Sequence, residues 1–334
     1  MSFLDTFFKS RRAKPKQVSD SGVEVQNQNH ISWKKIVNPP CDQIRSFWAS
    51  KSNDIFVAGT DSIYHYDGQT WKIVYQLPYD RVKTYEEGLL DINGTGPDNV
   101  VAVGGYSSLG RVIHWNGNKW EALPLFGPPR WRSVCVIENT DIIVVPDQTD
   151  AWPKHYFSKR WESPGMTFLT TPSGWTPRNP GNLYAAWGSD SNNCYLVGST
   201  GQIFHLKDSP RWEQMVSPTH EDIKAIWGCN PNDIFAVGDK GIILHYNGLQ
   251  WTVMESPSAE ELFTGRGLKN WTSICGSGPD DVFVAGWEGI ILHYTDKVWT
   301  KVQSPTTHVV DKICCGSSGD VFLFAGQSIW ALSR

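Results

Sequence analysis

Several things are scarce in this 334-residue chain, and each scarcity removes a class of protein. No apolar run reaches the roughly 18 residues that a bilayer-crossing helix needs, so no membrane span is read. The opening residues, MSFLDTFFKSRRAKPKQ, hold no apolar core followed by a small-residue cleavage site, so no secretory signal is read either. Net charge is only −4, without the cationic excess that nucleic acid binding demands, and no nucleic-acid partner is expected. The seven cysteines are odd in number and lack short disulfide-framework spacings. The expectation is reduced thiols in a cytoplasmic protein. Two N-x-[ST] matches, at Asn93 and Asn270, carry little weight without a secretory route.

Catalytic signatures are also missing. The chain has no Gly-rich phosphate loop leading into a helix, no H-E-x-x-H and no G-x-S-x-G. Its carboxylates form no convincing pair of the kind a glycosidase holds at a defined separation. No catalytic residue, metal or cofactor is therefore assigned, and the expectation is a protein that is not an enzyme.

What the chain does have is 17 tryptophans and a repeat that accounts for many of them. IKAIWGCNPNDIFAVGDKGIILHYNGLQWTVMESPS (Ile223 to Ser258) is nearly restated by WTSICGSGPDDVFVAGWEGIILHYTDKVWTKVQSPT. A period of roughly 40–50 residues marks a propeller or a solenoid. Tryptophans following a turn recur at Trp33, Trp71, Trp120, Trp161, Trp212, Trp251 and Trp299, spaced by 38, 49, 41, 51, 39 and 48 residues. Each unit reads as four short β-rich runs divided by Gly, Asn, Asp and Pro. The links YDG, WNG and YNG carry Asp-Gly or Asn-Gly, which favour the positive-φ turn between antiparallel strands. No segment of the repeats longer than ten residues has helical periodicity.

The two ends complement each other. The last unit, DKICCGSSGDVFLFAGQSIWALSR, supplies three runs and stops before its tryptophan strand. The first tryptophan strand, ISWKKIV, has no three runs before it. In a ring the N-terminal strand would complete the last sheet and remove the exposed edges. The reading is an all-β, seven-bladed β-propeller of four-stranded blades over residues 31–334, preceded by a basic tail and linker over residues 1–30. DNVVAVGGYSSLGRVIHWNGNKWEALPLFGPPRW (Asp98 to Trp131) resembles a kelch repeat: a Gly-Gly strand end, an aromatic in the third strand, then Trp, Pro and Arg. Other units carry Val-Gly or Ala-Gly where kelch has Gly-Gly. The resemblance implies a kelch-like propeller fold and says little of activity, since propellers host many functions.

Repetition also disposes of apparent chemistry. His65, His114, His155, His205, His245 and His293 share one third-strand position, so they are spread around a ring and cannot converge on a metal. They read as structural imidazoles. Cys135, Cys275 and Cys315 share a first-strand position with Trp48, Trp187 and Trp227 and read as core. Cys275 and Cys315 sit in adjacent blades with Cys314 beside them, and the lesser alternative there is a thiolate metal site, for which the C-x-x-C spacing is missing.

Three features point to binding. Long fourth-to-first connections (Tyr75 to Gly88, Ser163 to Asn182, Glu255 to Asn270) carry Tyr79, Tyr85, Phe168, Trp175 and Phe263 with Arg81, Arg178 and Arg266, a mix suited to interface anchors. They could equally fold back over the blade rims. Second, aligned first strands place Arg45, Arg132, Lys224 and Lys312 at one position, with Leu90, Tyr184 and Thr272 in the other blades. Such a ring would focus positive potential on a channel mouth and suit an acidic partner. The alternative is local neutralisation by Asp42, Asp222 and Asp311. Third, residues 1–16 hold five cations (Lys9, Arg11, Arg12, Lys14, Lys16) less one anion (Asp5), a net +4 that leaves −8 elsewhere. Phe3, Leu4, Phe7 and Phe8 would form one stripe of a short helix beside Arg11 and Arg12, a tether to a membrane surface or partner groove; the alternative is a disordered leader. The functional expectation is a protein–protein interaction or scaffold module using one propeller face. A propeller lectin, and further off a propeller hydrolase or lyase, stay open.

Overall fold

The computed structural model describes residues 32–41, 43–77, 88–106, 109–125, 129–138, 141–149, 151–169, 179–207, 211–257, 262, 270–316 and 319–333. Short alternating runs bounded by turn residues become seven sheets among these residues, antiparallel except for one added strand in blade 4. Blade 1, for example, comprises Ser46–Lys51, Asp54–Ala58, Ser62–Tyr66 and Trp71–Gln76, hydrogen-bonded in that order. The first strands of blades 2 to 7 are Gly88–Gly96, Trp131–Glu138, Leu183–Asp190, Ile223–Asn230, Trp271–Gly278 and Val310–Cys315. Each packs beside the first strand of the next blade, and that of blade 7 packs beside Ser46–Lys51 of blade 1, closing the ring. The chain is a seven-bladed β-propeller.

Blade 7 is composite. Ser328–Ser333 pairs antiparallel with Ser32–Ile36 over a register running from Ser32 opposite Ser333 to Ile36 opposite Ile329. Side chains fasten the junction: the Trp33 indole N–H donates to the Gln303 carbonyl (2.8 Å), and Gln327 Oε1 accepts from the Ile44 N–H (2.7 Å). Blade 4 carries a strand that the repeat did not announce. Gly165–Thr167 adds in parallel to Arg211–Gln214, giving a five-stranded sheet with its outer edge covered.

The repeat residues have visible mechanical roles. At the Asn-Gly turn, Gly248 takes φ +87° while Asn247 Oδ1 accepts from the Leu249 and Gln250 N–H groups. Each repeated histidine bonds, through Nε2, a residue at the head of the second strand: His65 with Asp54, His114 with Asn99, His155 with Asp141, His205 with Asn193, His245 with Asp233 and His293 with Asp281. Four of the imidazoles stack or tilt on Phe56, Tyr195, Phe235 and Phe283 at 4.1–4.7 Å between centroids. Tryptophan and glycine interlock between blades. Trp48, Trp187 and Trp227 lie over Gly94, Gly228 and Gly276 of the following blade, so closely that a Cβ on Gly276 would sit 2.5 Å from the Trp227 ring.

One thiol expectation is overturned. Cys275 and Cys315, from neighbouring blades, form a disulfide with Cα atoms 5.6 Å apart. The propeller brings two equivalent first-strand positions within bonding reach across one seam.

Candidate functional site in the axial channel

The ring leaves a cavity of about 540 Å³ on its axis, lined by the first strands of all seven blades. Arg45, Leu90, Arg132, Tyr184, Lys224, Thr272 and Lys312, aligned in the sequence, all face it. The structure gathers them, yet it compensates three of the four cations.

Arg132 gives Nε and Nη2 to Asp147 Oδ1 at 2.9 and 2.7 Å, and its guanidinium lies 5.1 Å from the Tyr184 ring centre. Lys224 Nζ lies 2.9 Å from Asp222 Oδ2, 3.5 Å from Asp239 Oδ2 and 3.9 Å from the Tyr184 ring centre. Burial alone would lower the Lys224 pKa, but Asp222 and Tyr184 outweigh it and raise it. The Tyr184 hydroxyl in turn donates to Asp222 (2.8 Å). Lys312 Nζ donates to Asp91 Oδ1 (2.7 Å), Ser46 Oγ (3.0 Å) and the Ile92 carbonyl (2.9 Å). These cations tie blades together, and the expected field from four converging charges shrinks accordingly.

Arg45 differs. Its Nε and Nη2 are shut off from solvent and meet no acceptor. Its pKa is pushed down first by burial and then by the charge of Arg130. Arg132 spends the same Nε/Nη2 edge on a carboxylate; Arg45 has none among the described residues. Asp311, which follows the blade 6–7 connection and lines the same cavity, is exposed, though partial desolvation raises its carboxyl, and it forms no ion pair with Lys312. Of the three aspartates expected to neutralise the ring, Asp222 does so, Asp311 does not, and Asp42 lies outside the described residues.

Two acids escaped sequence reasoning. Asp91 Oδ1 and Oδ2 together accept from Ser46, Lys312, Ile92, Ser133 and Val134, joining blades 7, 1, 2 and 3. A signal was available: its aligned neighbours are Ser46, Ser133, Ala185, Ala225, Ser273 and Ile313, so Asp91 is the lone charge of that column. Asp147 also binds Arg130, and nothing local in the sequence marks it.

The loop anchors fare differently. Phe168 is half-buried and meets Phe204 edge-on, 5.5 Å between centroids, so it packs into the blade 4 core instead of standing out as an interface anchor. Leu262 is likewise buried in the core around Trp299, with its carbonyl accepting from Lys301 Nζ (3.1 Å). Arg81, Tyr85, Trp175, Arg178, Phe263 and Arg266 lie outside the described residues, as do Phe3, Leu4, Phe7, Phe8, Arg11 and Arg12 of the tail. Among the described residues no cluster of His, Cys, Asp and Glu is placed to hold a metal, and no helix is long and apolar enough to cross a membrane.

No protein-family model matches the sequence, and no curated protein does. Solved structures do match in fold. The WD40 propeller domain of Doa1 superposes with TM-score 0.67 at 10% identity, over 90% of this chain and 97% of that one. YCF48 bound to D1 peptide gives 0.65 at 15%, over 90% and 96%. Virginiamycin B lyase from Staphylococcus aureus gives 0.67 at 13%, over 91% and 99%. At such identities the likeness is to the propeller alone. The kelch-like character of the repeat gains no support from it. The seven-bladed architecture does.

Proposed function

We propose that the protein is a non-enzymatic recognition module, binding an acidic group of a protein partner at the channel mouth around Arg45. The observation that carries this reading is the Arg45 guanidinium, facing the axial cavity with two buried donors and no carboxylate paired to it among the described residues. A buried donor without an acceptor is costly, and a charged one more so. A carboxylate or phosphate toward which the Arg45 side chain turns its buried edge relieves that cost and is held by charge-assisted hydrogen bonds. Arg132, Lys224 and Lys312 hold the rim in shape through their aspartates, with Tyr184 packed between two of them. The loop residues Arg81, Tyr85, Trp175, Arg178, Phe263 and Arg266 belong to the same proposal as outer contacts. Residues 1–16 belong to it as a tether, and a cytoplasmic setting is part of it.

The test uses the full chain and a fluorescent glutamate-rich peptide, titrated at rising salt. Arg45→Glu should lose roughly tenfold or more in affinity, the scale of a hydrogen bond to a charged group. Equal affinity in the variant, or no binding by the parent protein, overturns the reading. A second reading, a propeller lyase or hydrolase, is favoured by Asp311, whose raised carboxyl shares the Arg45 cavity. Asp311→Asn should leave peptide binding in place under the first reading; under the second it abolishes turnover.

A further inference from the structure

The seam between blades 6 and 7 is built unlike its neighbours. Trp187 covers Gly228 at the seam between blades 4 and 5, and Trp227 covers Gly276 at the next. The corresponding first-strand positions in blades 6 and 7 are Cys275 and Cys315, joined as a disulfide that spans 40 residues of sequence. Both line the axial cavity. Cys275 is buried and Cys315 only half-buried. Their neighbour Cys314 points the other way, its Sγ toward the Ala49 carbonyl of blade 1.

Four of the five other thiols, all but the half-buried Cys41, are poorly suited to compete. Burial pushes the Cys135 thiol up to about 12 and raises Cys194 and Cys314 as well. Burial and then Asp233 push Cys229 up to about 11. A thiol exchanges as its thiolate, so groups held protonated react slowly.

We propose that Cys275–Cys315 is a thiol–disulfide exchange site, reached along the axial channel by low-molecular-weight thiols and closed to protein-sized ones. A small thiolate attacks the half-exposed Cys315 Sγ. The S–S bond breaks, Cys275 leaves as a thiolate and takes a proton, and a mixed disulfide remains on Cys315. A second small thiolate attacks the outer sulfur of that mixed disulfide, releasing a small disulfide and leaving Cys315 as a thiol. One protein disulfide is reduced while two thiols are oxidised; a small disulfide reverses the sequence. Opening the bond unlinks blade 6 from blade 7. The seam keeps the Ile313 N–H bonded to Ser273 Oγ (3.0 Å) and Thr272 bonded to the Val310 carbonyl, so the ring stays closed.

The test incubates the folded full chain in graded mixtures of reduced and oxidised glutathione, followed by alkylation and peptide mapping. The 275–315 crosslink should open and re-form with the ratio while Cys135, Cys194, Cys229 and Cys314 keep constant labelling. Melting should fall by several degrees on reduction, as expected for releasing a 40-residue loop. Thioredoxin should give no acceleration over glutathione, and Cys275→Ser should collect the mixed disulfide on Cys315. A crosslink that opens only in denaturant, two thiols that alkylate fully at every ratio, or strong acceleration by thioredoxin would each overturn the proposal. The labelling of the parent chain decides the matter even where the serine variant folds poorly.

Discussion

Removing the Asp91 carboxylate should damage the ring far more than removing the lysine it binds. Asp91 has five donors, from Ser46, Ile92, Lys312, Ser133 and Val134, and its side chain is 13% exposed. In Asp91→Ala, Lys312 keeps its charge at 21% exposure with only Ser46 and the Ile92 carbonyl to solvate it. Stranding one member of a buried pair costs about 3–5 kcal/mol, and this pair, not fully dry, belongs near about 3. Lys312→Met leaves the carboxylate with four other donors and should cost about 1–2 kcal/mol. The double variant strands no charge. It should be less damaged than the sum of the singles by at least about 1 kcal/mol. Urea unfolding followed by tryptophan fluorescence, which the 17 indoles make strong, reads all three differences. Equal costs for the two single variants, or strict additivity, would refute the argument that a bound carboxylate organises this end of the channel.

Two further outcomes follow from packing and charge. Gly276→Ala puts a methyl 2.5 Å from the Trp227 ring and should cost about 1–3 kcal/mol, whereas Gly278→Ala, with nothing within 4 Å of its Cβ, should be nearly neutral; the same urea titration checks the contrast. Burial alone would raise the Asp54 carboxyl, but hydrogen bonds from His65 and Ser50 and the charges of His65 and Lys51 outweigh it and hold it below its ordinary value. A carboxyl depressed in the folded state stabilises above the unfolded pKa and loses that contribution as pH falls through the folded one. His65→Ala should therefore show a shallower acid loss of stability than the parent protein, measured as melting temperature against pH; an unchanged slope would contradict the assignment.

Much of the architecture could be read in one dimension because its causes are local. Asn247 and Gly248 make their turn within four residues. The tryptophan spacing sets the blade length, and Ser32–Ile36, spare at the head of the repeats, pairs with Ser328–Ser333. Alignment of first strands placed Arg45, Arg132, Tyr184, Lys224 and Lys312 on one rim, since equivalent strand positions point the same way in every blade.

Which of those cations keeps its charge uncompensated was not legible. Lys312 meets Asp91 across 221 residues, and Arg132 meets an aspartate just past the second strand of its own blade. Such partners are chosen by how the ring closes, not by spacing. The Cys275–Cys315 bond has the same origin: each cysteine resembles a small core residue within its own strand, and only the neighbouring blade turns the two into a pair. Phe168 shows the reverse, an apparent anchor in a long connection that the blade 4 core claims through Phe204. Repetition within the chain thus determined the number of blades, their strands and the residues facing the axis. Tertiary closure alone decided which of those residues neutralise each other, because electrostatic and covalent partners depend on distance in space, and the ring makes neighbours of residues the sequence keeps apart.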